Sequence, residues 1–283
     1  MKKFIIYIIL TVLITNSVSN AQNKADLPWS VNEATLIGIG KYNIKDTYLS
    51  DLKYTGFGVR ILNERMKMTR LMDYNVSRQQ IINVDFSVTK NPARNVKDWS
   101  GFIDYSLAYH YHFRPLQNLK VLAGTGIHAL GGFIYNTRNG NNPASAKADI
   151  DLTLSAMAIY NFKIKNLPLT FRYQAELPFM GILFSPHYGQ PYYFIFMQGD
   201  NKGIVNFSSF HNKFAMKNFI TLDIPVAKCT IRLGYLNSMY RLNVQQIKSH
   251  IISNSFTIGF VKEFVAFRGK KMGQTKHFKS AFY

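Results

Sequence analysis

The sequence predicts an all-β protein: a transmembrane, antiparallel, up-and-down β-barrel of about ten strands behind a secretory signal. Three observations carry that reading. Long stretches alternate apolar and polar side chains with a period of two, which sends the two sets to opposite faces of a strand. Several of these stretches run to about ten residues or more, longer than the usual globular strand and close to what crosses a bilayer at a tilt. Finally, Lys2 and Lys3 precede a short apolar run, Phe4 to Ile14, with Ser19 and Ala21 after it. That run has about half the twenty residues a spanning helix needs, so it reads as a cleaved signal peptide. No later apolar run approaches helix-spanning length. Insertion therefore falls to strands, the alternative that satisfies every backbone group in lipid.

The chain divides into a signal peptide (1–21), a periplasmic leader (22–30), the barrel (31–267) and a basic periplasmic tail (268–283). The first strand, Val31 to Asn43, contains Gly38 and Gly40, and its faces are not assignable from the pattern. The second, Tyr54 to Glu64, sets Phe57, Val59 and Ile61 against Gly56, Gly58, Arg60 and Glu64. The third, Ser77 to Thr89, sets Ile82, Val84 and Phe86 against Asn83, Asp85 and Ser87. The fourth, Gly101 to Phe113, alternates Ile103, Tyr105, Leu107 and Tyr109 with Asp104, Ser106, Ala108 and His110, and ends at a turn before Pro115, which cannot donate to a ladder. The fifth, Leu119 to Tyr135, opposes Val121, Ile127 and Phe133 to Lys120, Gly124 and His128.

The sixth strand, Asp149 to Lys163, places Ile150, Leu152 and Leu154 opposite Asp149, Asp151 and Thr153. The seventh starts at Leu167, with Phe171 and Tyr173 against Arg172, Gln174 and Glu176. An aromatic loop, Gly181 to Asn206, follows. In the eighth strand Phe210, Phe214, Met216, Ile220 and Leu222 take one face, and Ser209, His211, Lys213, Lys217 and Asp223 the other. The ninth, Lys228 to Tyr240, sets Ile231, Leu233 and Tyr235 against Arg232 and Gly234, and Cys229 shares the apolar parity as a small wall residue. The tenth, Ile251 to Phe267, opposes Phe256, Ile258 and Phe260 to Ser253, Ser255 and Thr257. Long connections (91–99, 136–148, 181–206, 242–249) alternate with short turns at Arg114, Lys165 and Pro225, as outer loops alternate with periplasmic turns. The competing fold is a soluble sandwich or lipocalin-like barrel with its apolar face inward. The charged and small residues gathered on one parity favour a polar lumen instead.

Certain segments resemble a Bacteroidota outer-membrane barrel family of unknown function: Leu27 to Trp29, Ser185 to Tyr193 (SPHYGQPYY), Ser209 to Asn212 (SFHN) and Arg232 to Tyr235 (RLGY). The resemblance covers nearly the whole mature chain. It implies fold and an outer-membrane location, but no reaction, cofactor or catalytic residue.

The formal charge of +19 over 283 residues points to anionic partners, either outer-membrane lipid or acidic glycan. Export argues against nucleic acid. Inside a narrow lumen charges must be paired. The candidate partners are Arg60, Lys163, Arg172, Lys213, Lys217 and Arg232 with Glu64, Asp85, Asp104, Asp149, Asp151, Glu176 and Asp223. Such a network plugs the barrel, whereas an open one would make a narrow anion-selective pore. Asp149 and Asp151, with Ser209 and His211, are the candidate rim hydrolase, since a histidine beside a carboxylate can activate a hydroxyl or water. The arrangement resembles the Asp-x-Asp opposite Asp-x-His of omptin barrel proteases, with Ser209 standing where their second Asp would be. His110, His112 and His128 read as lumen filling rather than a metal centre, and no cofactor is expected. Tyr188, Gln190, Tyr192 and Tyr193 make the aromatic loop either a lid or a platform for sugar rings. Taken together, the expected function is non-enzymatic: an envelope structural protein, or one that contacts anionic lipid or glycan.

Overall fold

The computed structural model describes residues 29–165, 167–226, 229–266 and 280–283. The signal peptide, most of the leader and most of the tail lie outside them. The architecture is a closed antiparallel barrel with ten wall positions. Its strands are β1 (Trp29–Asp46), β2 (Ser50–Met68), β3 (Val76–Lys90), β4 (Lys97–Leu116), β5 (Leu119–Asn136), β6 (Ala144–Ile164), β7 (Leu167–Phe184), β8 (Val205–Ser209), β9 (Lys213–Val226), β10 (Cys229–Val244) and β11 (Ile247–Ala266). A short helix, α1 (Tyr192–Phe196), lies between β7 and β8. Each strand pairs with its neighbour in sequence except β8 and β9, which both pair with β7, and β1 pairs with β11 from Trp29↔Ala266 to Asp46↔Ser249. The start of β1, the end of β11, the connections 69–75 and 117–118 and the junctions of β6 with β7 and of β9 with β10 share one end, here the terminal end. The opposite, loop end carries 47–49, 91–96, 137–143, 185–204 and 245–246.

The predicted eighth strand is broken. β7 pairs with β8 over Met180–Phe184 and with β9 over Thr170–Glu176, and residues 210–212 form a turn that interrupts the wall. The turn is held locally: Ser209 N–H donates to Asn212 Oδ1 (3.0 Å) and Asn212 N–H to the Ser209 carbonyl (3.1 Å). Parity consequently shifts across it. Ser208 and Lys213 face the lumen and are buried, whereas Ser209 does not face it and His211 is exposed. This corrects the expected lumen-facing position of Ser209 and His211, because an unbroken period of two cannot cross a tight turn.

Several strands extend further at the loop end than the alternation shows. β6 starts at Ala144, and β10 and β11 meet at a two-residue turn, Gln245–Gln246, in place of the long connection expected at 242–249. Both glutamines have positive φ (52° and 63°), the left-handed geometry whose twist matches a hairpin. Gln-Gln carries no glycine or asparagine signal for such a turn.

The outward face is apolar across the middle of the wall. Phe57, Val59 and Ile61 on β2, and Phe256, Ile258 and Phe260 on β11, are all more than half exposed. An outward apolar belt on a closed barrel is the surface a bilayer covers. Trp99 opposite Tyr135 toward the loop end, and Tyr109, Tyr111 and Phe113 toward the other, supply aromatic girdles. Polar groups on this outer face satisfy one another, as lipid requires. Tyr173 donates to Asn218 (2.9 Å), Asn218 to Asn237 (3.3 Å), and Asn237 to Asn254 (2.8 Å).

The inward face of β1 explains its unreadable pattern. Leu36, Tyr42 and Ile44 point inward and are buried, while Ile37 and Ile39 point outward, so both faces are apolar. Gly58 on β2 lies under Tyr42: a Cβ there would stand 2.6 Å from the Tyr42 ring. Glycine is thus required for the ring to enter the lumen.

Candidate functional site

The candidate site is the lumen, which is layered. Nearest the terminal end, Glu64 on β2 receives Arg172 of β7 through both carboxylate oxygens, and Arg232 Nη1 of β10 at 2.6 Å. Arg232 also grips Asp223 of β9 with two bonds of 2.7 Å. Both arginines and Glu64 are fully buried. Two forked guanidiniums sharing one carboxylate satisfy charges that would otherwise be untenable in a closed interior. Next, Gln79 donates to Glu64 and Gln174. His110 meets Ser155 (2.8 Å) and His112 meets Ser77 (2.8 Å), so these two histidines bond to serines rather than to a shared centre.

The middle layer holds Asp104, Lys217, Asp85, Arg60 and Glu176. Lys217 Nζ contacts Asp104 at 2.5 Å and His128 Nε2 at 3.0 Å. Arg60 reaches Asp85 at 3.5 Å and donates to Ser253 at 3.0 Å. Ser106 donates to Glu176 at 2.9 Å. A cavity of about 80 Å³ remains between these groups. Above it, Lys213 Nζ sits 3.0 Å from Asp149 and 2.6 Å from Asp151, and Ser208 donates to Asp151 (3.2 Å). At the loop end Lys147 pairs with Asp46 at 2.6 Å.

Both ends of the lumen are covered. Residues 281–282 enter the terminal end, where Phe282 packs with Met66, Leu122, Met157 and Ile159. Its ring lies 5.0 Å from the Arg172 guanidinium and 4.4 Å from that of Arg232. Tyr283 donates its hydroxyl to Asp223 (2.7 Å), and Lys120 donates to the Tyr283 oxygen (2.5 Å). At the other end the 185–204 loop crosses the mouth. Tyr192 accepts from the Ala146 N–H (2.7 Å) and meets the Tyr48 ring edge-on, while Tyr48 donates to the Gln190 carbonyl (2.7 Å). Burial, with Tyr192 and Asp46 nearby, pushes the Tyr48 phenol well above its ordinary value, so it stays a donor. The Gln190 side chain ties to Asp200, while Tyr188 and Tyr193 remain exposed.

The four candidate hydrolase residues therefore fall into two groups. Ser209 Oγ and His211 Nδ1 are 2.6 Å apart at the surface, with the imidazole stacked on Phe207. Asp149 and Asp151 are buried in the lumen and engaged by Lys213.

Sequence reasoning missed Asp46, Asp98 and Lys147, which lie beyond the strand ends it drew, and Phe282 and Tyr283, which follow a stretch without strand periodicity. Of the fifteen acidic residues in the chain, nine are buried among the described residues. Among the described residues the buried cations are Arg60, Lys147, Arg172, Lys213 and Arg232, joined by the partly buried Lys217. The lumen is thus acid-rich. Its sign is opposite to that expected of an anion-selective pore.

A family model described as a protein of unknown function (DUF3316) matches residues 5–271. The chain belongs to that family. Within the DUF3316 match lie all the lumen charges described above, whereas Phe282 and Tyr283 fall beyond it. No curated protein matches the sequence significantly. Among solved structures, the DUF3316 chain is similar to the β domain of the Bordetella autotransporter BrkA, at 10% identity and a TM-score of 0.38, covering 82% of this chain and 99% of that one. It is also similar to the translocator domain of the autotransporter NalP from Neisseria meningitidis, at 8% identity and 0.36, covering 92% and 97%. The outer membrane protease OmpT from Escherichia coli is a third, at 8% and 0.35, covering 88% and 100%. At such identities none of them lends this chain a residue role.

Proposed function

We propose that this chain is a plugged outer-membrane barrel of the Bacteroidota envelope, and that it works by contact with anionic lipid or glycan rather than by catalysis or transport. One observation supports the reading: acids and cations are segregated. With most of the carboxylates inside, the exterior is left strongly basic. At the loop end Lys53, Lys90, Arg94, Lys97, Arg138 and Lys202 are exposed, with Asp51 and Asp200 as the exposed acids there. Cations at a membrane boundary attract phosphate and carboxylate groups, each contributing on the order of 1 kcal/mol near an anionic surface.

The test places the full chain in nanodiscs of neutral lipid and titrates two probes separately: a phosphorylated glycolipid, and a soluble acidic polysaccharide. Preference for one of them over its neutral counterpart, weakened by salt and by charge reversal at Lys90, Arg94 and Lys97, is the expected result. Equal retention of charged and neutral probes sinks the proposal.

A further inference from the structure

We propose that His128, Asp149 and Asp151 form a binding site for a divalent metal ion of the borderline class, typified by zinc. The three side chains come from adjacent strands: His128 on β5 stands directly opposite Asp151 on β6, with Asp149 two residues along the same face. One ligating atom from each lies within 4.8 Å of the others. His128 Nδ1 is 3.9 Å from Asp149 Oδ1 and 3.9 Å from Asp151 Oδ2. That separation is too long for a hydrogen bond and a little over half an ångström longer than the roughly 3.3 Å between tetrahedral ligands about 2 Å from one ion, a gap that small side-chain rotations close.

An independent observation points the same way. His128 is 4% exposed, yet its Nδ1 has no hydrogen-bond partner, and neither does Asp149 Oδ2, while Asp149 Oδ1 faces the Lys213 ammonium at 3.0 Å. Buried polar atoms are rarely left so, and here the orphaned ring nitrogen is the one that stands 3.9 Å from an oxygen of each carboxylate. The surroundings suit a metal. Ser208 orients Asp151 through its hydroxyl, and Asp104 Oδ1 lies 3.7 Å from His128 Nε2. With the imidazole proton on Nε2 and directed at Asp104, Nδ1 presents its lone pair to the ion, the outer-shell arrangement typical of ligating histidines. Lys217 then keeps its bond to Asp104 and gives up its contact with Nε2. The neighbouring cavity, which His128 and Asp104 line, has room for the waters that complete the coordination. Two carboxylates and one imidazole select zinc-like ions over calcium or magnesium, which take oxygen ligands.

Lys213 is the occupant that the ion displaces. Its ammonium bridges both carboxylates and also lies over the Tyr240 ring at 5.1 Å. An incoming dication takes over the carboxylates, and the lysine side chain swings away toward that ring.

The competition supplies the test. Full-length protein refolded in detergent, its folded state verified by gel mobility before and after heating, is titrated with Co²⁺ and then Zn²⁺ and followed by visible absorption. The Lys213→Met variant is expected to take up one equivalent at least tenfold more tightly than the unmodified chain, with a d–d spectrum of low coordination number. Adding His128→Gln to it should lower affinity tenfold or more and abolish that spectrum. Equal affinity and spectra for Lys213→Met with and without His128→Gln would assign the uptake to surface histidines and overturn the site. Should Lys213→Met not fold, the unmodified chain against His128→Gln decides by the same spectrum.

Discussion

At the residue scale, Glu64 carries the greatest load. It is the shared acceptor of Arg172 and Arg232, and removing it leaves two buried guanidiniums short of a partner. Glu64→Ala is expected to cost about 3–5 kcal/mol, the range for breaking one side of a buried ion pair, measured as a shift in the urea midpoint of the detergent-folded barrel. Tyr283→Phe is a milder change: it removes one bond to Asp223, which Arg232 still holds. A loss of about 1 kcal/mol is expected by the same measurement. The charges of the lumen were legible in the sequence because Arg60, Asp85, Asp104 and Arg172 sit on one parity of clear strands. The pairings were not, since Glu64 and Arg232 meet across the barrel and period-two alternation says nothing of contacts between opposite walls. His128 shows the same limit: its role depends on Asp149 and Asp151 one strand away.

At the element scale, strands with a one-sided apolar pattern were read well, as the middles of β4 and β6 show. The break at 210–212 was not, because Phe210 keeps the apolar rhythm on paper while the backbone turns. The facing of Ser209 and His211 follows from that break, and the imidazole is stacked on Phe207. His211→Ala is expected to leave folding and any glycan retention unchanged, checked by gel mobility and the nanodisc titration. The loop over the mouth is fastened by Tyr192 and Tyr48. Tyr192→Ala should therefore release it, seen as cleavage within 185–204 under limited proteolysis at protease levels that spare the unmodified chain.

At the scale of the whole molecule, the lumen is closed three times over, by Phe282 and Tyr283, by the ion-pair layers and by the 185–204 loop. Planar bilayers holding the full chain are expected to show no steady conductance, and an open, anion-preferring pore would contradict both the plug and the sign of the lumen. The charge surplus was visible from composition, but its segregation was not, because composition does not say which side of a wall a side chain faces. The seam between β1 and β11 has a consequence in time. Its eighteen residue pairs join the first strand of the barrel to the last. Every other junction in the wall is between strands much closer in sequence, even that of β7 with β9 across the 185–212 segment, but this one must wait for the whole chain to be delivered. Until then the sheet carries two open edges and the most costly loop closure in the molecule still lies ahead. Assembly should thus be rate-limited at its final step, and a proline placed within β1 would slow the appearance of folded barrel more than it weakens the barrel once closed.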